Sequence, residues 1–226
     1  MSAAPWNRNG KMIVTIDGPA GAGKSSAARA LAARLGFRFL DTGAMYRAVT
    51  YAALQRNVDL ADADALAELV GRLDIRLTTD QVLLDGEDVA TAIRTFEITA
   101  HVHFAADNAR VRAVLVELQR AAAAGSDVVT EGRDQGTVVF PDAACKIFLT
   151  ASAEERARRR LSELATRGEN ATFEDVLIKQ NQRDLRDAVR ECGPLVKADD
   201  AIEVSTDGMT AEDVVDRLTE LVEKCR

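Results

Sequence analysis

The stretch Gly18-Pro19-Ala20-Gly21-Ala22-Gly23-Lys24-Ser25 constrains the fold of this chain more than any other. A glycine, four residues, a second glycine, a lysine and a hydroxyl residue describe a loop whose backbone N–H groups converge on phosphate. Such a loop works only between a strand and a helix. Met12-Ile13-Val14-Thr15-Ile16 before it reads as a buried strand, and Ser26 to Leu35 after it as a helix. The alternative is a glycine-rich turn that matches by accident, and the strand–loop–helix context argues against it. The helix N-terminus adds its dipole to the anion nest. Gly18, Pro19, Ala20, Gly21, Ala22, Gly23, Lys24, Ser25 and Ser26 are therefore assigned to a nucleoside triphosphate. Lys24 can reach the outer phosphates, and the Ser25 hydroxyl can hold Mg2+.

The chain has 226 residues, enough for one large domain or for a core with inserted lobes. Its formal net charge of -7 argues against a nucleic-acid polymer as partner, so a nucleotide site must gather its positive charge locally. Cys145, Cys192 and Cys225 are scattered and odd in number, matching neither a zinc pattern nor a disulfide framework. That usage points to a reducing compartment. Met1 to Lys11 has no apolar signal core, and no apolar run is long enough to span a membrane. The expected setting is the cytoplasm.

Met1 to Gly10 reads as a loose tail. Phe37 to Leu40 reads as a second strand, opening into Asp41-Thr42-Gly43, a turn that can cap a helix over Ala44 to Gln55. Ala63 to Leu73 is amphipathic. Asp85-Gly86 between apolar stretches signals a hairpin, so a small β-rich insert is expected between about Asp74 and Val89. Thr95 to Ala106 and Asn108 to Ala123 read as helices, and Val128 to Thr130 and Ile147 to Leu149 as buried parallel strands. Ser152 followed by Glu155 is a capping-box pattern opening a helix. Phe173 to Arg190 reads as a long charged helix, Ile202 to Val204 as a last strand and Thr210 to Lys224 as a closing helix. Strands alternating with helices predict an open parallel α/β sheet.

A phosphate loop by itself does not name a reaction. The sequence lacks convincing guanine-reading motifs or the acidic metal-holding strands of large ATPases. It has two arginine-bearing turns instead, Asp41-Thr42-Gly43-Ala44-Met45-Tyr46-Arg47 and Glu131-Gly132-Arg133-Asp134, each just past a strand. Both belong at the carboxyl edge of the sheet, where open α/β proteins bind ligands. Two arginines there suit a second phosphate group, which guanidinium grips bidentately. Taken singly, Asp41 and Thr42 could be a plain helix cap, Arg47 a surface residue and Arg133–Asp134 a surface ion pair.

These segments, in this order, resemble the bacterial cytidylate kinases. The likeness runs through Ile16 to Ser25, Leu40 to Arg47, Gly86 to Val89, Ile93-Arg94-Thr95, Glu131 to Asp134, Gly136 to Ala143, Lys146 to Ala151, Glu154 to Arg159, Arg183-Asp184 and Pro194-Leu195. It covers most of the chain. It implies a P-loop NTPase-type parallel five-stranded sheet flanked by helices, with a small β-rich insert in an NMP-binding lobe and a short helical lid. The whole chain, 1–226, would be a single kinase domain. The lobe would span about 60–110, its β-rich insert about 74–90, and the lid about 152–172.

The same resemblance implies phosphoryl transfer from ATP, with Mg2+, to CMP or dCMP by a monomer. Arg47, Arg133 and Arg190 match positions that contact the CMP phosphate, and Thr42, Arg112 and Asp134 match positions near cytosine. An aspartate can accept from the cytosine amino group where uracil offers a carbonyl. Arg183 and Asp187 match sugar contacts, although their i,i+4 spacing also fits a plain intrahelical pair. Arg156 and Arg159, with Arg160 on the same helix face, would meet the triphosphate from the lid. Lys24, Arg133, Arg156, Arg159 and Arg190 are thus the candidate catalytic residues. His103 aligns where the family often has a serine near the base, Gln135 replaces an aliphatic residue, and no proline precedes Arg110.

Two other readings share the phosphate loop. A small-metabolite kinase of the shikimate or gluconate type would not need two phosphate-gripping arginine turns and a third arginine on a late helix. A nucleotide-sensing module would not need the full set of arginines with Lys24 and Ser25 intact.

Overall fold

The computed structural model describes residues 11–78, 81–166 and 168–226. The expected tail at residues 1–10 lies outside the described residues, as does Arg167 within the expected lid. Five parallel strands form the main sheet in the order β2-β6-β1-β7-β8: β1 (Ile13–Asp17), β2 (Arg38–Asp41), β6 (Val128–Gly132), β7 (Cys145–Thr150) and β8 (Ile202–Ser205). Central β1 is apolar because both faces are covered. Its alternation still sorts the two sides. Val14 and Ile16 face one core with α1 (Lys24–Leu35) and α8 (Ala211–Lys224), which supply Ala28, Leu31, Leu218 and Val222. Ile13 faces the other core, built with α2 (Thr42–Gln55) and α5 (Ala109–Ala123).

That second core continues into α3 (Ala63–Val70), α4 (Phe96–Asp107) and a separate antiparallel sheet of β3 (Ile75–Leu77), β4 (Val82–Leu84) and β5 (Glu87–Asp88). The hairpin expected at Asp85-Gly86 is present: both residues have positive φ, 51° and 90°, as a type I′ turn requires. α6 (Ala153–Thr166) and α7 (Phe173–Val189) pack on each other through Ala157, Leu164 and Val176.

Polar residues end the helices where the sequence pattern places them. Asp41 accepts from Ala44 N, and Asn108 accepts from Arg110 N and Val111 N. The capping box expected at Ser152 is only half formed. Ser152 Oγ accepts from Glu155 N at 3.3 Å, but the Ser152 N–H donates to Asp207 and the Glu155 carboxylate pairs with Arg159. A distant aspartate and a nearby guanidinium outcompete the local pairing. Among the described residues, no helix is long and apolar enough to cross a membrane.

Candidate functional site

The phosphate loop leaves β1 at the carboxyl edge of the sheet and runs into α1. Gly18 has φ 150°, and a Cβ there would overlap the Leu149 carbonyl of β7, so only glycine lets the loop leave the strand this way. Lys24 opens α1 and is 5% exposed, its Nζ donating to Pro19 O at 2.7 Å. Burial, then the Arg133 charge, pushes its ammonium down to about 7, against the pull of Glu131. Ser25 Oγ donates to Glu131 Oε1 at 2.8 Å. Burial raises the Glu131 carboxyl, with Asp41 adding to the rise. Asp17, at the end of β1, is pushed up to about 6 by burial although it accepts from Gln135 N and Gly136 N.

Across from the loop lies a cluster of cations. Arg133, just past β6, donates Nε to Asp187 Oδ2 on α7 at 2.8 Å, and its guanidinium holds that carboxyl below the usual range. Arg47 Nη1 donates to Thr99 Oγ1 at 2.8 Å. Arg183 is lowered to about 10 by burial, then by Arg133 and Arg47. Arg190, at the end of α7, donates Nε to Gly193 O at 2.5 Å and is lowered by burial and by Arg112. Beyond burial, the charges of Arg133 and Arg183 lower Lys24, and those of Arg133 and Arg47 lower Arg183, on a chain of net charge -7. A field of that kind is built to receive anions.

Arg112 and Asp134 form a buried pair, 5% and 4% exposed, with Arg112 5.6 Å from the Tyr46 ring centre. Burial raises the Asp134 carboxyl against Arg112 and Arg190. Gly193 covers this pair: its φ is 59°, and a Cβ there would overlap both Arg112 Nη2 and Asp134 Oδ2. Thr42 is buried, and its hydroxyl donates to Glu131 O at 2.7 Å. His103 Nδ1 lies 3.0 Å from Ala100 O, with its ring centre 4.2 Å from that of Phe104. Burial and then Arg186 of α7 lower its ring.

The arginines of α6 expected in the lid separate. Arg156 is 6% exposed and donates to Ala151 O, Ala20 O and Asp184. Arg159 donates to Glu155 and to the hydroxyl and carbonyl of Thr206, and a Cβ on Gly23 would lie 3.8 Å from its Nη1. Arg160 pairs with Glu163 within the helix. A cavity of about 510 Å3 runs from Gly23, Ser26 and Arg159 between α1 and α8 to Met209 and Val215. That volume lies within the usual range of ligand pockets. Glu131 and Asp184, quoted within motifs, and Gly193 were given no site role from sequence. Their neighbours Ser25, Arg156 and Arg112 lie 106, 28 and 81 positions away, beyond any local pattern.

A phosphate loop on the central strand of a parallel α/β sheet, facing a second cation cluster at the same edge, defines a P-loop protein. A protein of Eubacterium ventriosum of known structure shares the fold, with a TM-score of 0.53 at 11% identity over 94% of this chain and 99% of its own. The cytidylate kinase family profile matches residues 14–224. Cytidylate kinase of Rhodopirellula baltica is 52% identical over 95% of this chain and 93% of its own, and that of Bacillus subtilis is 46% identical over 95% and 97%. The chain belongs to the cytidylate kinase family.

Proposed function

We propose that this chain transfers the γ-phosphoryl group of ATP to the phosphate of CMP or dCMP, giving ADP and CDP or dCDP. The observation that carries the reading is the cation cluster itself: Arg133 is tied to Asp187 of α7 at 2.8 Å, and its charge, with that of Arg183, bears on the buried Lys24 of the loop. Two polyanions brought together there relieve that repulsion. The acceptor is already an anionic oxygen, so the reaction needs positioning and charge neutralisation rather than a strong base.

In this reading Lys24 and the N–H groups of residues 18–26 hold the β- and γ-phosphates. The cavity beside Ser26, Arg159 and Met209 takes the adenine. Arg47, Arg133 and Arg190 aim the CMP phosphate, and Arg183 and Asp187 meet its sugar. Asp134, oriented by Arg112, accepts from the cytosine amino group, with Thr42 and His103 flanking the base. Mg2+ fits Ser25 and Glu131, because a hydroxyl against a buried carboxylate is the hard-oxygen chemistry this ion prefers. Bound there with ATP, it would supply neutralisation of charge on the outer phosphates. The lobe at about 60–110 and the lid at about 152–172 close on the substrates and exclude water, which otherwise hydrolyses ATP. The reading is of a monomeric cytoplasmic enzyme acting on small molecules, in keeping with its acidity and free cysteines.

A coupled ADP-release assay tests this with ATP and magnesium against CMP, dCMP, UMP, AMP, shikimate and gluconate. CMP and dCMP turnover well above the others supports it. Robust UMP turnover keeps the kinase but overturns the role of Asp134. Turnover of shikimate or gluconate alone overturns the reaction.

A further inference from the structure

α7 touches both halves of the site. Arg183, Asp187 and Arg190 share one face at i, i+4 and i+7, and this face meets Arg133. The adjoining face carries Gln180 and Asp184, also four apart, and reaches the phosphate loop. Gln180 Nε2 donates to Ala153 O at 3.2 Å, and its Oε1 would lie 3.4 Å from a Cβ on Gly21. Asp184 Oδ2 accepts from Arg156 Nη1 at 2.5 Å, and the same nitrogen donates to Ala20 O of the loop at 3.0 Å. Arg156 Nε is anchored on Ala151 O, just past β7. One guanidinium therefore ties the loop, the sheet edge and α7 together.

Asp184 Oδ1 is buried and has no hydrogen-bond partner among the described residues. Leaving a carboxylate oxygen unpaired costs free energy, and a rearrangement that supplies a donor recovers it. We propose that Asp184 and Arg156 are positioning residues that couple the acceptor helix to the donor loop. When CMP draws Arg183, Asp187 and Arg190 toward it, the Asp184–Arg156 pair carries the shift to the Ala20 carbonyl and sets the loop for the triphosphate. Arg156 acts through the loop rather than on the phosphates. The inference rests on α7 being the CMP helix, and it goes beyond the reaction itself.

The test is calorimetric titration of the full chain, in magnesium buffer, with the ATP analogue whose β- and γ-phosphates are joined by nitrogen. It is run with and without saturating CMP. In the wild type CMP tightens the analogue at least about fivefold, and the analogue tightens CMP by the same factor. Asp184→Asn keeps the shape of the side chain and removes its charge. It brings the ratio below about twofold, while CMP alone still binds within about threefold of wild type. Arg156→Lys keeps a charge, but its single nitrogen cannot span the acceptors that Nε and Nη1 reach from two positions, and it loses the ratio too. The double variant loses no more than either single one. A merely structural pair would lower melting temperature and both affinities and leave the ratio intact. A ratio preserved in Asp184→Asn, or a wild-type ratio of one with both ligands bound, overturns the coupling. A wild type that binds the analogue but not CMP overturns the reading of α7 beneath it.

Discussion

Arg133 and Asp187 meet across the cleft, Nε to Oδ2 at 2.8 Å, with side chains only 17% and 16% exposed. The pair joins the end of β6 to the last turn of α7, while Arg133 Nη1 donates to Gly132 O at 3.2 Å. Arg133→Ala is expected to cut kcat/KM for CMP at least about a hundredfold, the effect of losing a charge-assisted phosphate grip of about 3 kcal/mol. The freed Asp187 carboxyl rises in the variant, as carbon-detected titration of the side chain would read. The sign for folding follows. A lowered carboxyl stabilises the fold above its unfolded value of 3.8 and loses that contribution as pH falls through the folded value. The variant therefore loses stability at pH 7. An Asp187 that titrates unchanged in the variant would contradict the pairing.

Lys24 stands near 7 rather than 10.5, so at pH 8 the empty site holds it mostly neutral. A triphosphate restores its charge. Binding of ATP at pH 8 should therefore take up protons, seen as a binding enthalpy that differs between two buffers of unlike ionisation heat. Lys24→Met should abolish that difference and lower kcat about 10²–10³-fold. In the empty protein the unfolded chain holds the extra proton between pH 7 and 10.5. The Lys24 contribution to stability therefore rises with pH across that window.

Asp134→Ala leaves Arg112 buried without its counter-charge. Removing one partner of a buried pair costs about 3–5 kcal/mol, and a matching fall in melting temperature is expected. The KM for CMP should rise far more than that for ATP. Equal rises would remove Asp134 from base recognition.

Gly193→Ala probes the same pair from its cover. The new methyl meets Arg112 and Asp134 and must also adopt φ 59°. A loss of about 1–3 kcal/mol and a rise in KM for CMP of about tenfold are expected. Gly36→Ala is the control: its φ is 69°, but nothing lies within 4 Å of the added Cβ. It should carry the backbone strain alone and leave both KM values unchanged. A KM effect of equal size in both variants would mean that the cover over Arg112 and Asp134 is irrelevant.

Much of the architecture is written locally. The loop between Ile16 and Ser26, the strand and helix alternation, the caps at Asp41 and Asn108, and the Asp85-Gly86 turn each depend on a few neighbouring residues, whose backbone geometry and apolar period are visible in order along the chain. The arginine turns at 47 and 133 could be placed at one sheet edge for the same reason. Tertiary structure alone decided what those side chains touch. The Ser152 N–H goes to Asp207 rather than to Glu155, Glu131 meets Ser25, Gly193 roofs Arg112, and Arg156 grips Ala20 instead of standing free. Each of these depends on strand register and helix packing that bring residues distant in sequence into contact. A charged group chooses among all the partners that fold supplies, and burial sets how strongly it must choose.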